Sequence, residues 1–208
     1  MSAQPALLPG PRPLLPADAE HALSGRQREI LDALEALAVQ EGFAQLTMAQ
    51  LAARVNCSLR TLYGLAPRKD ALLLMVIDRR LHRIGRAARA AIAPGMDPLE
   101  ALRAYLEAAT TAVAPATASF ARELAAVPGG TRLIEAHANY VIAVTRDLLE
   151  RAREQGRIAP IDTGALALVL GGLGALFARP DVIPQLEASP KATADAILAI
   201  VLRGLVCR

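Results

Sequence analysis

Apolar positions recur at three- and four-residue spacing through most of this chain, and proline and glycine cut the pattern into segments. Ile30, Leu31, Leu34, Leu37 and Ala38 form one stripe, which predicts a helix from Ser24 to Glu41. Ser24 stands as its hydroxyl cap and Gly42 as its terminator. Met48, Leu51, Ala52 and Val55 predict a short helix capped by Thr47. Asn56 then breaks the period; asparagine tolerates the left-handed conformation a tight turn needs. Ser58 is placed to cap a second short helix, with Leu62 facing inward and Leu59, Arg60, Thr61 and Tyr63 spread over its other faces. Pro67 ends it, because the residue before a proline is pushed out of the helical region. The stretch from Thr47 to Lys69 therefore reads as a helix-turn-helix.

The pattern continues downstream. Leu73, Leu74, Ile77, Leu81 and Ile84 predict a long helix from Asp70 to Ala93. Three more are predicted over Pro98–Val113, Thr117–Val127 and Thr131–Gln155, separated by Pro115 and by Pro128-Gly129-Gly130. Gly164–Phe177 is apolar nearly all round, which implies burial on several sides; Gly171, Gly172 and Gly174 would admit another helix closely. Lys191–Leu205 closes the chain with Ile197, Leu198, Ile200, Val201 and Leu205. Residues 1–23 hold Pro5, Pro9, Pro11, Pro13 and Pro16 with little periodicity, and are expected to be a disordered arm. No alternating Val/Ile/Thr run stands out, so the fold class is all-α.

Composition sharpens this picture. Of the 208 residues 53% are hydrophobic and only 3% aromatic, so the core must be aliphatic. The net charge is +3, but it is unevenly placed: Ser24–Ala93 holds eleven basic and six acidic residues, and Pro94–Arg208 eleven and twelve. The positive excess travels with the helix-turn-helix, as in a nucleic-acid-binding module joined to a neutral partner domain. Cys57 and Cys207 are too few for a disulfide framework or a zinc site. The N-terminus lacks a charged start before its apolar residues, and the longest apolar run, Gly164–Ala178, falls short of the ~20 residues that span a bilayer. A cytoplasmic protein without membrane contact is expected. There is no nucleophile–base pair, phosphate-binding glycine loop, paired carboxylate or His/Cys/carboxylate cluster at metal spacing, so neither an enzyme, a cofactor nor a metal is expected. Cys57 opens the second short helix, where a thiol's pKa can fall; packing as a small apolar residue is the expected role.

Ile30-Leu31-Asp32-Ala33, Gly42-Phe43, Leu46-Thr47-Met48, Leu51-Ala52, Ser58, Thr61-Leu62-Tyr63 and Pro67-Arg68-Lys69-Asp70-Ala71-Leu72 run in the order and spacing of the TetR family of transcriptional regulators. The resemblance covers about residues 26–75. It implies a disordered arm (1–23), a helix-turn-helix DNA-binding head (24–70) and a larger helical ligand-binding and dimerisation body (71–208). By its match, Ser58, Leu59, Arg60, Thr61, Tyr63 and Gly64 would face DNA, and Thr47, Tyr63 and Lys69 would hold the phosphate backbone. Tyr63 has a second reading, as an aromatic lid on the small core. The body would enclose a small-molecule cavity, for which Tyr105, Phe120, His137, Asn139 and Tyr140 are the conspicuous polar or aromatic candidates. The aliphatic core would suit an apolar or amphipathic effector. The two C-terminal helices would pair with a second copy, or alternatively complete an internal core. Gly64, Leu65 and Ala66 stand where the family commonly has rings. The function implied is a ligand-responsive regulator, a repressor, reading a palindromic double-stranded DNA operator as a homodimer. The alternative is a helical ligand-binding or interaction protein with weak or lost DNA binding.

Overall fold

The computed structural model describes residues 9–112 and 118–205, and over them the regular structure is helical. The expectations placed on Pro5, Val113, Pro115, Thr117 and Cys207 lie outside the described residues. Among the described residues ten α-helices run in the order α1 (Ala17–Ala22), α2 (Gly25–Gln40), α3 (Met48–Arg54), α4 (Leu59–Leu65), α5 (Lys69–Ala90), α6 (Pro98–Ala109), α7 (Ala118–Ala126), α8 (Gly130–Glu154), α9 (Thr163–Phe177) and α10 (Pro190–Leu205). Short 3₁₀ turns follow α6 and precede α10.

The starts of the early helices follow from side-chain caps. Ser24 and Thr47 each accept the amide three residues on, from Gln27 and Gln50, whose side chains return to the cap amides. Ser58 caps α4 by accepting the Thr61 amide at 3.0 Å. Asn56, at φ +50°, makes the turn between α3 and α4. Gly42, at φ +83°, ends α2 and sends the chain back under the head.

Two apolar cores result. Leu31, Leu34, Phe43, Leu51, Leu62, Leu72 and Val76 belong to the first, which reaches into α7 through Leu124. It draws on α5 beyond residue 70, so the head and the start of the connecting helix are packed as one unit. The second joins α6, α8, α9 and α10 around Leu102, Tyr105, Leu148, Leu149 and Leu170. Of the three glycines read as a helix contact, Gly171 fits: a Cβ there would lie 2.7 Å from the Cα of Ile142 on α8. Gly172 has nothing within 4 Å of such a position, and Gly174 lines a cavity instead.

The N-terminal arm departs from the disorder expected of it. From residue 9 it is described, and α1 occupies Ala17–Ala22. Six residues make a marginal helix alone; contacts with the rest of the molecule hold this one. Glu20 pairs with Arg79 at 2.8 Å, the Leu14 amide donates to Asp78 Oδ2 at 2.7 Å, and Arg28 donates to the His21 carbonyl at 3.1 Å.

Candidate nucleic-acid interface and effector cavity

The helix-turn-helix presents α4 on the molecular surface. Ser58, Leu59, Arg60, Tyr63 and Gly64 are exposed, Tyr63 by 51%. Its ring therefore does not lid the small core, the second reading offered for it. Leu62 is fully buried and fixes the roll of the helix. Thr61 is half-buried, and its hydroxyl lies 2.8 Å from that of Ser58, so it serves the cap as well as the surface. Thr47 is exposed at the start of α3.

Lys69 departs from its expected place on a phosphate. Its ammonium donates to the carbonyls of Phe43, Ala44 and Leu46 at 3.1, 3.0 and 3.1 Å. These carbonyls sit in the loop between α2 and α3, where backbone acceptors lack helical partners, and one cation gathers them. Arginines of the head are likewise engaged. Arg26 pairs with Glu29 and donates to the Asn56 carbonyl at 2.7 Å, pinning the α3–α4 turn. Arg54 pairs with Glu41. On α5, Arg79 binds Glu20 and Asp32, and Arg80 binds the buried Glu35, fastening the connecting helix to α2. Cys57 is half-buried against the head's core; burial pushes its thiol pKa up, with Arg26 offsetting part of the rise. That is packing behaviour, opposite to an activated thiol.

Below the head, a cavity of ≈ 270 Å³ lies between α5, α6, α7, α8 and α9. Tyr105, Phe120, His137 and Tyr140 line it; Asn139 does not, being exposed on another face of α8. A residue next to a cavity-facing one on a helix points about 100° away, which single-sequence reading of a polar cluster overlooked. Burial raises the Tyr105 phenol well above its ordinary pKa, the Tyr140 phenol adding to this and Arg89 opposing it, so its hydroxyl stays neutral. Arg80 and Arg179 also line it, the first paired with Glu35 and the second with Asp181. Helix α7 has two roles. Phe120, Ala121, Leu124 and Ala125 face the cavity, while Glu123 accepts the Phe43 amide at 2.7 Å. Burial raises the pKa of Glu123, against the pull of that amide and of Lys69. Sequence inspection gave no sign of this bridge, because its partners are 80 residues apart.

A second group was missed. Asp78, His82 and His137 converge beside the cavity, their candidate donor atoms all within 4.8 Å of one another. The expected absence of any such cluster is thus corrected. The i,i+4 spacing of Asp78 and His82 was the available signal; His137 arrives from α8. Burial alone would raise the Asp78 carboxyl, but His137, His82 and the Leu14 amide outweigh it and hold the pKa well below the usual carboxylate range.

Residues 30–76 match the family model of bacterial regulatory proteins, tetR family. The HTH-type transcriptional repressor KstR of Rhodococcus jostii (strain RHA1) is 35% identical over 88 residues, 42% of this chain and 41% of that repressor's length. The chain therefore matches less than half the length of this curated relative. Among solved structures, a bacterial regulatory protein in the tetR family from Rhodococcus RHA1 superposes with a TM-score of 0.65 at 22% identity, covering 89% of this chain and 100% of that one. AibR, solved in complex with isovaleryl coenzyme A and operator DNA, superposes with a TM-score of 0.59 at 18% identity, covering 84% of this chain and 97% of its own. Among the described residues no helix is long and apolar enough to cross a membrane. Residues 30–76 are thus similar to the helix-turn-helix segment of bacterial regulatory proteins of the tetR family, and the fold along most of the chain is similar to that of these solved regulators.

Proposed function

We propose that this chain is a ligand-responsive transcriptional repressor, acting in the cytoplasm on a palindromic operator as a homodimer, and not an enzyme. The carrying observation is that α7 forms a wall of the cavity and, through Glu123, also holds the loop that leads into the helix-turn-helix. An effector that binds one position of α7 better than another would shift the head by that difference in affinity. The walls are mainly apolar and the two lining arginines are already paired, Arg80 with Glu35 and Arg179 with Asp181, which favours an apolar or amphipathic effector. The isovaleryl coenzyme A held by AibR is a molecule of that class.

Leu59, Arg60, Tyr63 and Gly64 form the reading surface, and Arg60 is its cation. Arg60→Ala should cost about 1–3 kcal/mol of discrimination at one base pair per half-site, while leaving non-specific binding nearly unchanged. Selection of bound sequences from random DNA measures this. An unchanged consensus would remove Arg60 from base reading.

Dimerisation through α9 and α10 is supported by their exposed apolar residues: Leu168, Val169, Leu176 and Ile200, with Leu168 63% and Ile200 62% exposed. The double change Leu168→Glu, Ile200→Glu should yield a folded monomer in analytical ultracentrifugation, with operator affinity reduced at least tenfold. A variant that remained dimeric would move the interface elsewhere. The competing reading, a helical binding protein with weakened DNA contact, gains from the internal use of Lys69. A salt-dependent footprint by the wild-type chain on any selected palindrome would exclude it.

A further inference from the structure

We infer that Asp78, His82 and His137 form a divalent transition-metal site of the zinc class, joining the connecting helix α5 to α8 at the cavity wall. This goes beyond the regulator reading and does not depend on it. Both imidazoles aim Nε2 at one atom, Asp78 Oδ1: His137 from 3.2 Å and His82 from 3.4 Å. At bond lengths of about 2.0–2.1 Å, neighbouring ligands of a tetrahedral zinc ion stand about 3.4 Å apart. The two separations to Asp78 are close to that edge, and all three candidate donor atoms lie within 4.8 Å of one another. The rings meet edge-to-face, with centroids 4.8 Å apart and an interplanar angle of 77°.

The hydrogen-bonding inventory supports an ion better than it supports a self-contained cluster. His82 Nε2 is buried and has no well-formed hydrogen bond, which for a buried nitrogen is a cost. A cation at the point of convergence would use both Nε2 lone pairs and Asp78 Oδ1, with each ring proton on Nδ1. Asp78 Oδ2 is already held by the Leu14 amide at 2.7 Å. That is the outer contact that fixes a monodentate carboxylate ligand. Asp78 is buried and the two histidines half-buried, so the site is shielded but reachable. Two imidazoles and one carboxylate suit Zn²⁺, Co²⁺, Ni²⁺ or Fe²⁺ better than Mg²⁺ or Ca²⁺. Three protein ligands leave a fourth position for water or for a donor atom of a small molecule, since His137 also lines the cavity.

The test is titration of the full chain with Co²⁺, read by visible d–d absorption, followed by displacement with Zn²⁺. One equivalent is expected to bind with the intense absorption of a low-symmetry site, and zinc should abolish the signal. His82→Gln and His137→Gln should each weaken binding about 100-fold or more, at least the loss that even an outer contact causes. His21→Gln and Cys57→Ser should leave it unchanged. Absence of the absorption in the wild-type chain overturns the site, as does binding that survives both glutamine changes. If those variants fail to fold, X-ray absorption of the zinc-loaded wild-type chain decides. Two imidazoles in the coordination shell support the assignment; a sulfur ligand or an all-oxygen shell overturns it.

Discussion

A Gly171→Ala protein should melt below the wild type, by up to roughly 8 °C once the gain in helix propensity is set against the clash. The added Cβ would stand 2.7 Å from the Cα of Ile142 and 3.0 Å from its amide nitrogen. These are backbone atoms, so no side-chain rotation relieves the clash, and α8 and α9 must separate. Overpacking of this kind costs about 1–3 kcal/mol. Near 200 residues each kcal/mol moves the midpoint by about 2–4 °C. The separation would also strip contacts from Leu170 and Leu173, on either side of Gly171 in the second core. Gly85 in the middle of α5 supplies the control. Nothing lies within 4 Å of a Cβ there. Gly85→Ala should raise stability by up to about 1 kcal/mol through helix propensity. Differential scanning calorimetry of both variants, with opposite signs, checks the pair. Equal melting points would mean that α8 and α9 do not approach as described.

Lys69→Met should loosen the head without changing how DNA binding responds to salt. The ammonium holds three loop carbonyls. Hydrogen bonds to a charged group contribute about 1.5–3 kcal/mol each when well formed. They share one ammonium group and lie near solvent, so a total loss of about 2–3 kcal/mol is expected. The loop also carries Phe43, which is fully buried and whose amide is held by Glu123. Amide hydrogen exchange should therefore accelerate at Phe43 and Leu46 before it does in α8. The salt slope of operator binding should stay constant, because no phosphate loses its cation. A slope lower by about one with unchanged exchange would return Lys69 to the DNA backbone.

The head was legible to the extent that its structure is local. Ser24, Thr47 and Ser58 announce three helix starts, Asn56 the turn and Pro67 the end of α4, because caps and turns depend on neighbours a few positions away. Helix order and near-boundaries in the body followed from apolar period and from glycine and proline. What escaped depends on partners distant in sequence. The first helix exists because Glu20 reaches Arg79. Lys69 looks like a surface cation until the α2–α3 loop folds beneath it. The cluster of Asp78 and His82 needs His137, 59 residues after Asp78. Tyr105, Phe120, His137 and Tyr140, singled out by residue type, line one cavity, whereas Asn139 shows that type alone does not give direction.

Several of the cations of Ser24–Ala93 are paired within the molecule. Arg26, Arg54, Lys69, Arg79 and Arg80 are all engaged with carboxylates or carbonyls. A head with its charges so engaged has little to offer a random stretch of duplex, where attraction is almost wholly electrostatic. Its time on non-operator DNA will be short. For the repressor proposed above, fewer molecules would then be lost to the rest of the chromosome, and occupancy of the operator would rest on the few exposed side chains of α4 and on the second copy arriving with the first.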